Sequence, residues 1–214
     1  MTLDIVDEGR NNIVFVASCP NLRGRVTIKG DNNTVEIART EHPGSLHISI
    51  QSDSTVEIGE GLGFGDILIY LEVPRCHLKL GSGFVVNGST QITMHEPTRF
   101  TVGSDCLIAS GASFQTSDVP GIFDLDTGER VNIGKDITIG DHMWIGAGAV
   151  ILKGAQIGSG SIIAIRALVS GTIPPCSVAG GIPAKVIKSN VTWHSQLSDR
   201  ISDDLNGLAQ IWRA

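Results

Sequence analysis

From residue 133 the chain reads in sixes: IGKDIT, IGDHMW, IGAGAV, ILKGAQ, IGSGSI, IAIRAL, VSGTIP. Ile133, Ile139, Ile145, Ile151, Ile157, Ile163 and Val169 fall in phase, and glycine follows the aliphatic residue in four of the seven units. An α-helix repeats every 3.6 residues and tolerates interior glycine poorly, so neither period nor composition suits one. A six-residue unit instead supplies one short strand and one tight turn. Three units close a triangular coil, and coils stack at the ~4.8 Å spacing of paired strands. Each in-phase aliphatic side chain then faces the core above its equivalent one coil later, and small residues at the corners permit φ > 0. The fold class expected is all-β: a parallel β-helix of hexapeptide repeats.

Upstream the pattern persists but loosens. Val102-Gly103 and Ile108-Ala109 share one phase, as do Leu80-Gly81, Val86 and Ile92, while Ile28, Ile37 and Ile58-Gly59 mark further coils separated by insertions. Residues from about 20 to 188, less one loop, make on the order of eight coils. Composition agrees: 26 glycines in 214 residues and only 5% aromatics require an aliphatic core and a chain that turns often.

The net charge of −6 comes without a basic stripe, which argues against nucleic acid as a partner. No run reaches the ~20 apolar residues of a membrane helix, and the N-terminus lacks the basic and apolar regions of a secretory leader. A soluble, cytoplasmic protein is expected. Cys19, Cys76, Cys106 and Cys176 are widely spaced with no CxxC pair and no histidine cluster, so buried thiols are expected and no metal site.

Two segments interrupt the repeat. FQTSDVPGIFDLDTGERVN, residues 114 to 132, is polar and rich in turn residues, and a long excursion from a regular solenoid is more often functional than accidental. After Lys188, Trp193, Leu197, Ile201, Leu205, Leu208 and Trp212 recur at helical spacing, with Ser195 or Ser198 as caps. The chain divides accordingly into a β-helix over 1–188 and an amphipathic helical tail over 189–214.

Within this frame, TSD at 116–118, IFDLDTGERVN at 122–132, GKDITIGDHMWIG at 134–146, ILKGAQIGSGSII at 151–163 and AGGIPAKVIKSNVTW at 179–193 resemble the hexapeptide-repeat acyltransferases. The resemblance is to the branch that O-acetylates capsular and sialic acid-containing polysaccharides. It is close over the C-terminal half and extends to the N-terminal half only as a coil pattern. It implies a left-handed β-helix, a homotrimer with active sites between adjacent prisms, acetyl-coenzyme A as donor, and a carbohydrate or nucleotide-sugar acceptor.

Acyl transfer to a sugar hydroxyl needs a base for the hydroxyl proton, donors for the tetrahedral oxyanion, and a surface that holds both substrates together. In relatives the base is a histidine of the excursion; here the matching position is Pro120, which has no basic side chain. Three readings stay open. Another group serves as base, with Asp118 and His142 the nearest by sequence. Alternatively the acceptor is an amine, which attacks a thioester without prior deprotonation. Finally, the chain is a noncatalytic trimeric β-helix, a binding or scaffolding relative. Trp144 matches the family's active-site indole and is expected to position the thioester. Lys153, Arg166 and Lys185 are candidates for coenzyme phosphates, with Arg166 stacked over the bare backbone of Gly148, and Gly180 and Gly181 permit close backbone approach. His95 in TMHEP reads as a solvated turn. His42, His47, His77 and His194 lack the constellation that a zinc enzyme of this fold needs.

Overall fold

The computed structural model describes residues 3–63 and 65–213. The chain winds through three flat sheets that form the sides of a prism. Sheet 1 has eight strands, from Leu3–Asp7 to Leu168–Val169, and sheet 2 has eight, from Ile13–Val16 to Thr172–Ile173. Sheet 3 has seven, from Gly61–Gly63 to Ala184–Ser189, so the first coils have two strands and an irregular third side. All pairs are parallel except the last, where Ser177–Gly181 folds back on Ala184–Ser189. The solenoid therefore starts at Leu3, well before the residue 20 expected from the repeat.

The core is a set of aliphatic columns. Along sheet 1, Val26, Ile48, Ile69, Ile92, Phe114, Ile151 and Val169 stack in register, each at most 3% exposed. Burying such a side chain contributes about 1.5–3 kcal/mol, and the column repeats that gain at every coil. In the later coils the register step is the expected eighteen residues, as in Ile145 opposite Ile163. In the early coils it is 21 or 22, as in Val35 opposite Val56 and Val26 opposite Ile48. The longer coils add side-chain hydrogen bonds at one corner: Asn12 Oδ1 accepts from the Asn33 amide (2.8 Å), Asn33 Oδ1 from the Ser54 amide (2.9 Å), and Ser54 Oγ from the Cys76 amide (3.0 Å). In the coil that begins at Leu3, Asp7 occupies the place that Ile28 fills in the next, and its carboxylate accepts from the Gly9 amide and Asn12 Nδ2.

Six of the seven in-phase aliphatics, Ile139 to Val169, are at most 3% exposed, but Ile133 is 52% exposed. It belongs to the returning limb of the excursion, and the core position expected for it, one coil before Ile151 in sheet 1, is taken by Phe114. Across the excursion Val102 pairs with Ile139, a separation of 37 in place of eighteen, and the coils on either side remain in register. Three of the four thiols are buried and all four are free.

The tail departs from its expected form. The strand Ala184–Ser189 runs past the expected boundary, 190–202 carries no regular structure, and the helix is Asp203–Arg213. Ser202 Oγ accepts from the Leu205 amide (3.3 Å), so Ser202 caps the helix in place of Ser195 or Ser198. Leu205 and Ala209 are buried, the Ala209 carbonyl 3.7 Å from Cys176 Sγ, whereas Leu197, Ile201 and Leu208 face outward. The outer residues 1, 2 and 214 of the two-part division lie outside the described residues.

Candidate functional site

The excursion leaves sheet 1 after Ser113–Gln115 and re-enters sheet 2 at Ile137–Ile139, so it projects from the corner between those sheets. It is held by its own hydrogen bonds. Asp124 Oδ1 accepts from the Asp126 and Thr127 amides, Gly128 supplies a φ of 72°, and Phe123 bridges Arg130. Asn132 fastens the base of the loop: its Oδ1 accepts from the Ile122 amide (2.7 Å) and Arg130 Nε (3.0 Å), and its Nδ2 donates to the carbonyls of Pro120 and Asp118.

The principal anchor is Glu96, a residue the sequence did not mark. Its carboxylate receives both terminal nitrogens of Arg130 (3.1 and 2.7 Å) and the hydroxyl of Ser117. Partial burial opposes ionisation, but the hydrogen bonds from Arg130 and Ser117 outweigh it and hold the carboxyl at a pKa of about 2, against an ordinary 4.5. The available signal was an acid in the TMHEP break and a lone arginine in the excursion.

Beside this anchor Asp118 Oδ2 lies 2.6 Å from Lys153 Nζ. Lys153 is largely covered and Asp118 is 43% exposed, so the pair presents its carboxylate outward at the foot of the excursion. Lys153, expected to hold a phosphate, is thus committed to Asp118. Pro120, the position at which the resemblance led to the expectation of a histidine, is exposed two residues further on.

His142 and Trp144 lie elsewhere. His142 turns the corner from sheet 2 to sheet 3 with a φ of 51°. Its ring is covered on two sides, stacked on Trp193 (centroids 4.5 Å apart, 13° between planes) and on Trp212 (5.2 Å, 18°). Its Nε2 meets the Trp193 carbonyl at 3.0 Å, and Trp193 Nε1 donates to the His142 carbonyl at 2.9 Å. With its outer nitrogen engaged and its ring stacked on two indoles, the imidazole is placed to hold Trp193. Trp144 is 41% exposed on sheet 3, with Trp193 tilted beside it at 6.2 Å.

The remaining candidates follow the other edge of sheet 3. Arg166 turns the corner to sheet 1 with a φ of 54°, and a Cβ on Gly148 would lie 3.4 Å from its Cγ, which is the stacking expected. Gly180 pairs with Lys185 and Gly181 with Ala184 in the terminal hairpin, where Lys185 and Gly181 are exposed and Gly180 is buried. Asp118 therefore sits at the corner between sheets 1 and 2, opposite the face that carries Trp144. One chain does not bring the two together. Among the described residues no group of three or more His, Cys, Asp or Glu could hold a metal ion, and no helix is long and apolar enough to cross a membrane.

No family model matches the chain. A polysialic acid O-acetyltransferase of Neisseria meningitidis is 30% identical over 198 residues, which span 89% of this chain and 81% of that protein. The crystal structure of the polysialic acid O-acetyltransferase OatWY superposes with a TM-score of 0.80 and 25% identity, covering 96% of this chain and 98% of that one. The polySia-specific acetyltransferase NeuO superposes with a TM-score of 0.73 and 25% identity, over 97% and 90%. The coil is accordingly the left-handed parallel β-helix of those enzymes. The match holds in both sequence and coil geometry over most of the chain, and the chain belongs to the hexapeptide-repeat O-acetyltransferases, in their capsule-polysaccharide branch.

Proposed function

We propose that the chain transfers an acetyl group from acetyl-coenzyme A to a hydroxyl of a surface polysaccharide or its sugar precursor, at a site completed between neighbouring copies of a homotrimer. The observation that carries this reading is the opposed placement of Asp118, at the corner of sheets 1 and 2, and Trp144, exposed on sheet 3. A corner of one prism set against sheet 3 of the next would join them, whereas either alone is an incomplete site. The neisserial relative is a polysialic acid O-acetyltransferase, which favours an acidic polysaccharide as acceptor.

In this site Asp118 takes the hydroxyl proton. Lys153 fixes one oxygen of its carboxylate so that the other faces the acceptor. Trp144 offers a flat wall and one N–H donor to the thioester. Lys185 and Arg166 lie on the exposed edges of sheet 3, where they meet coenzyme phosphates, and Gly180 and Gly181 let the backbone approach the donor. Lys153 is reassigned from phosphate holding to orienting the base.

The test is titration of the purified chain with acetyl-coenzyme A, followed by an assay of acetyl release to a sialic acid polymer. Saturable donor binding with polymer-dependent turnover supports the proposal. No binding at millimolar donor rejects it. Binding without turnover on any hydroxyl or amino-sugar acceptor would instead favour a noncatalytic binding role.

A further inference from the structure

The His142–Trp193 contact is more elaborate than anchoring a tail requires. Residues 190–202 have no regular structure, yet Trp193 is fixed by two reciprocal hydrogen bonds and a ring stack to His142, with Val191 N bound to the Cys176 carbonyl just before it (2.9 Å). Trp212 closes the opposite side of the same imidazole, seated over Gly160, where a Cβ would come within 2.5 Å of its indole. The Thr192 hydroxyl is buried beside this clamp without a hydrogen-bond partner, a cost of about 1–3 kcal/mol that the local packing carries. The product of these contacts is one placement: the Trp193 indole tilted by 53° against the half-exposed Trp144.

The two indoles lie side by side and together make one apolar surface beside sheet 3. Trp144, Ile162 and Val178 are successive rungs of that sheet, so this surface lies about 10 Å along it from the hairpin bearing Lys185. That arrangement suits an extended chain whose charged end lies at the hairpin and whose thioester end lies against the indoles. We infer that Trp193 is the second wall of the donor's thioester subsite, and that His142 is the positioning residue that holds it there. This inference rests on the proposed acetyl-coenzyme A donor and adds a residue from the tail to that site. It also gives the histidine of GDHMW a purpose other than proton transfer.

The test measures KM for acetyl-coenzyme A and for the acceptor, and kcat, in the full-length chain and in His142→Ala, His142→Gln, Trp193→Ala and Trp193→Phe, with melting curves for each. Trp193→Ala and His142→Ala are expected to raise the donor KM by roughly three- to tenfold, the scale of one aromatic contact, and to leave the acceptor KM unchanged. Gln at 142 keeps an amide donor within reach of the Trp193 carbonyl and is expected to recover most of the donor KM; Phe at 193 keeps the wall and is expected to recover part. An unchanged donor KM in folded Trp193→Ala overturns the inference. So does a fall in kcat that tracks melting temperature with no donor-specific change, because that describes a merely structural tail. Saturation of the wild-type chain by donor separates these results from failure of the proposed function, which would show in the wild type itself and take the inference with it.

Discussion

Replacing Glu96 by Gln removes the anion that Arg130 and Ser117 share while leaving the side chain's shape nearly intact. A carboxyl held at about 2 against 4.5 corresponds to ~3 kcal/mol before screening. The Arg130 side chain is 28% exposed and that of Glu96 18%, so water and salt reach the pair, and 1–2 kcal/mol is the appropriate scale. That energy secures the excursion rather than the coils, which are held by their own columns. The expected result is therefore local: amides of 117–132 exchange about five- to thirtyfold faster in Glu96→Gln, while those of the core strands are unchanged. Trypsin, which needs the Arg130 side chain free, should cut after Arg130 faster by a similar factor. The same anchoring should weaken with acid in the wild type. Because the folded pKa is depressed, the stabilisation is full above about pH 4.5 and is lost as pH falls toward about 2. Unchanged exchange across 117–132 at neutral pH would refute the assignment of Glu96 as the anchor.

Three further outcomes follow from the geometry. Gly160→Ala places a Cβ 2.5 Å from Trp212 at a φ of +72°, a backbone cost of about 1–2 kcal/mol before the clash; the helix Asp203–Arg213 should lose exchange protection while the coils keep theirs. Burial pushes the Cys106 thiol up to about 12, so it should resist a thiol reagent at pH 8 in the native chain and react only on unfolding. Pro120→His supplies an imidazole on the exposed excursion two residues from Asp118; acetyl transfer should rise, by up to about a hundredfold. No gain would mean that the acceptor is not presented at that position.

The hexads gave the C-terminal coils almost residue by residue, because a period-six alternation leaves one solution for which side chain is inside. Ile133 misled because phase carried through the excursion by coincidence, and only the pairing of Phe114 with Ile151 shows that Phe114 takes the core place. The early coils were harder to read since one of their corners is tied by Asn12, Asn33 and Ser54, whose roles exist only through the coil above. The site was less legible for the same reason. Asp118 with Lys153 are 35 residues apart, and Glu96 with Arg130 34, distances that stacking closes and spacing does not announce. The helix start was in principle visible, as Ser202 followed by Asp203 and Asp204 is an N-cap with an acidic first turn. The broader apolar spacing from Trp193 obscured it.

Asp118 is the base of the proposed site, and Asp118→Asn tests that most directly because amide and carboxylate are nearly isosteric and Lys153 stays in place. Steady-state acetyl transfer to a sialic acid polymer should fall by about a hundredfold or more in kcat, with the dissociation constant for acetyl-coenzyme A unchanged. Equal kcat in Asp118→Asn and wild type would contradict the account and leave the base to be found elsewhere.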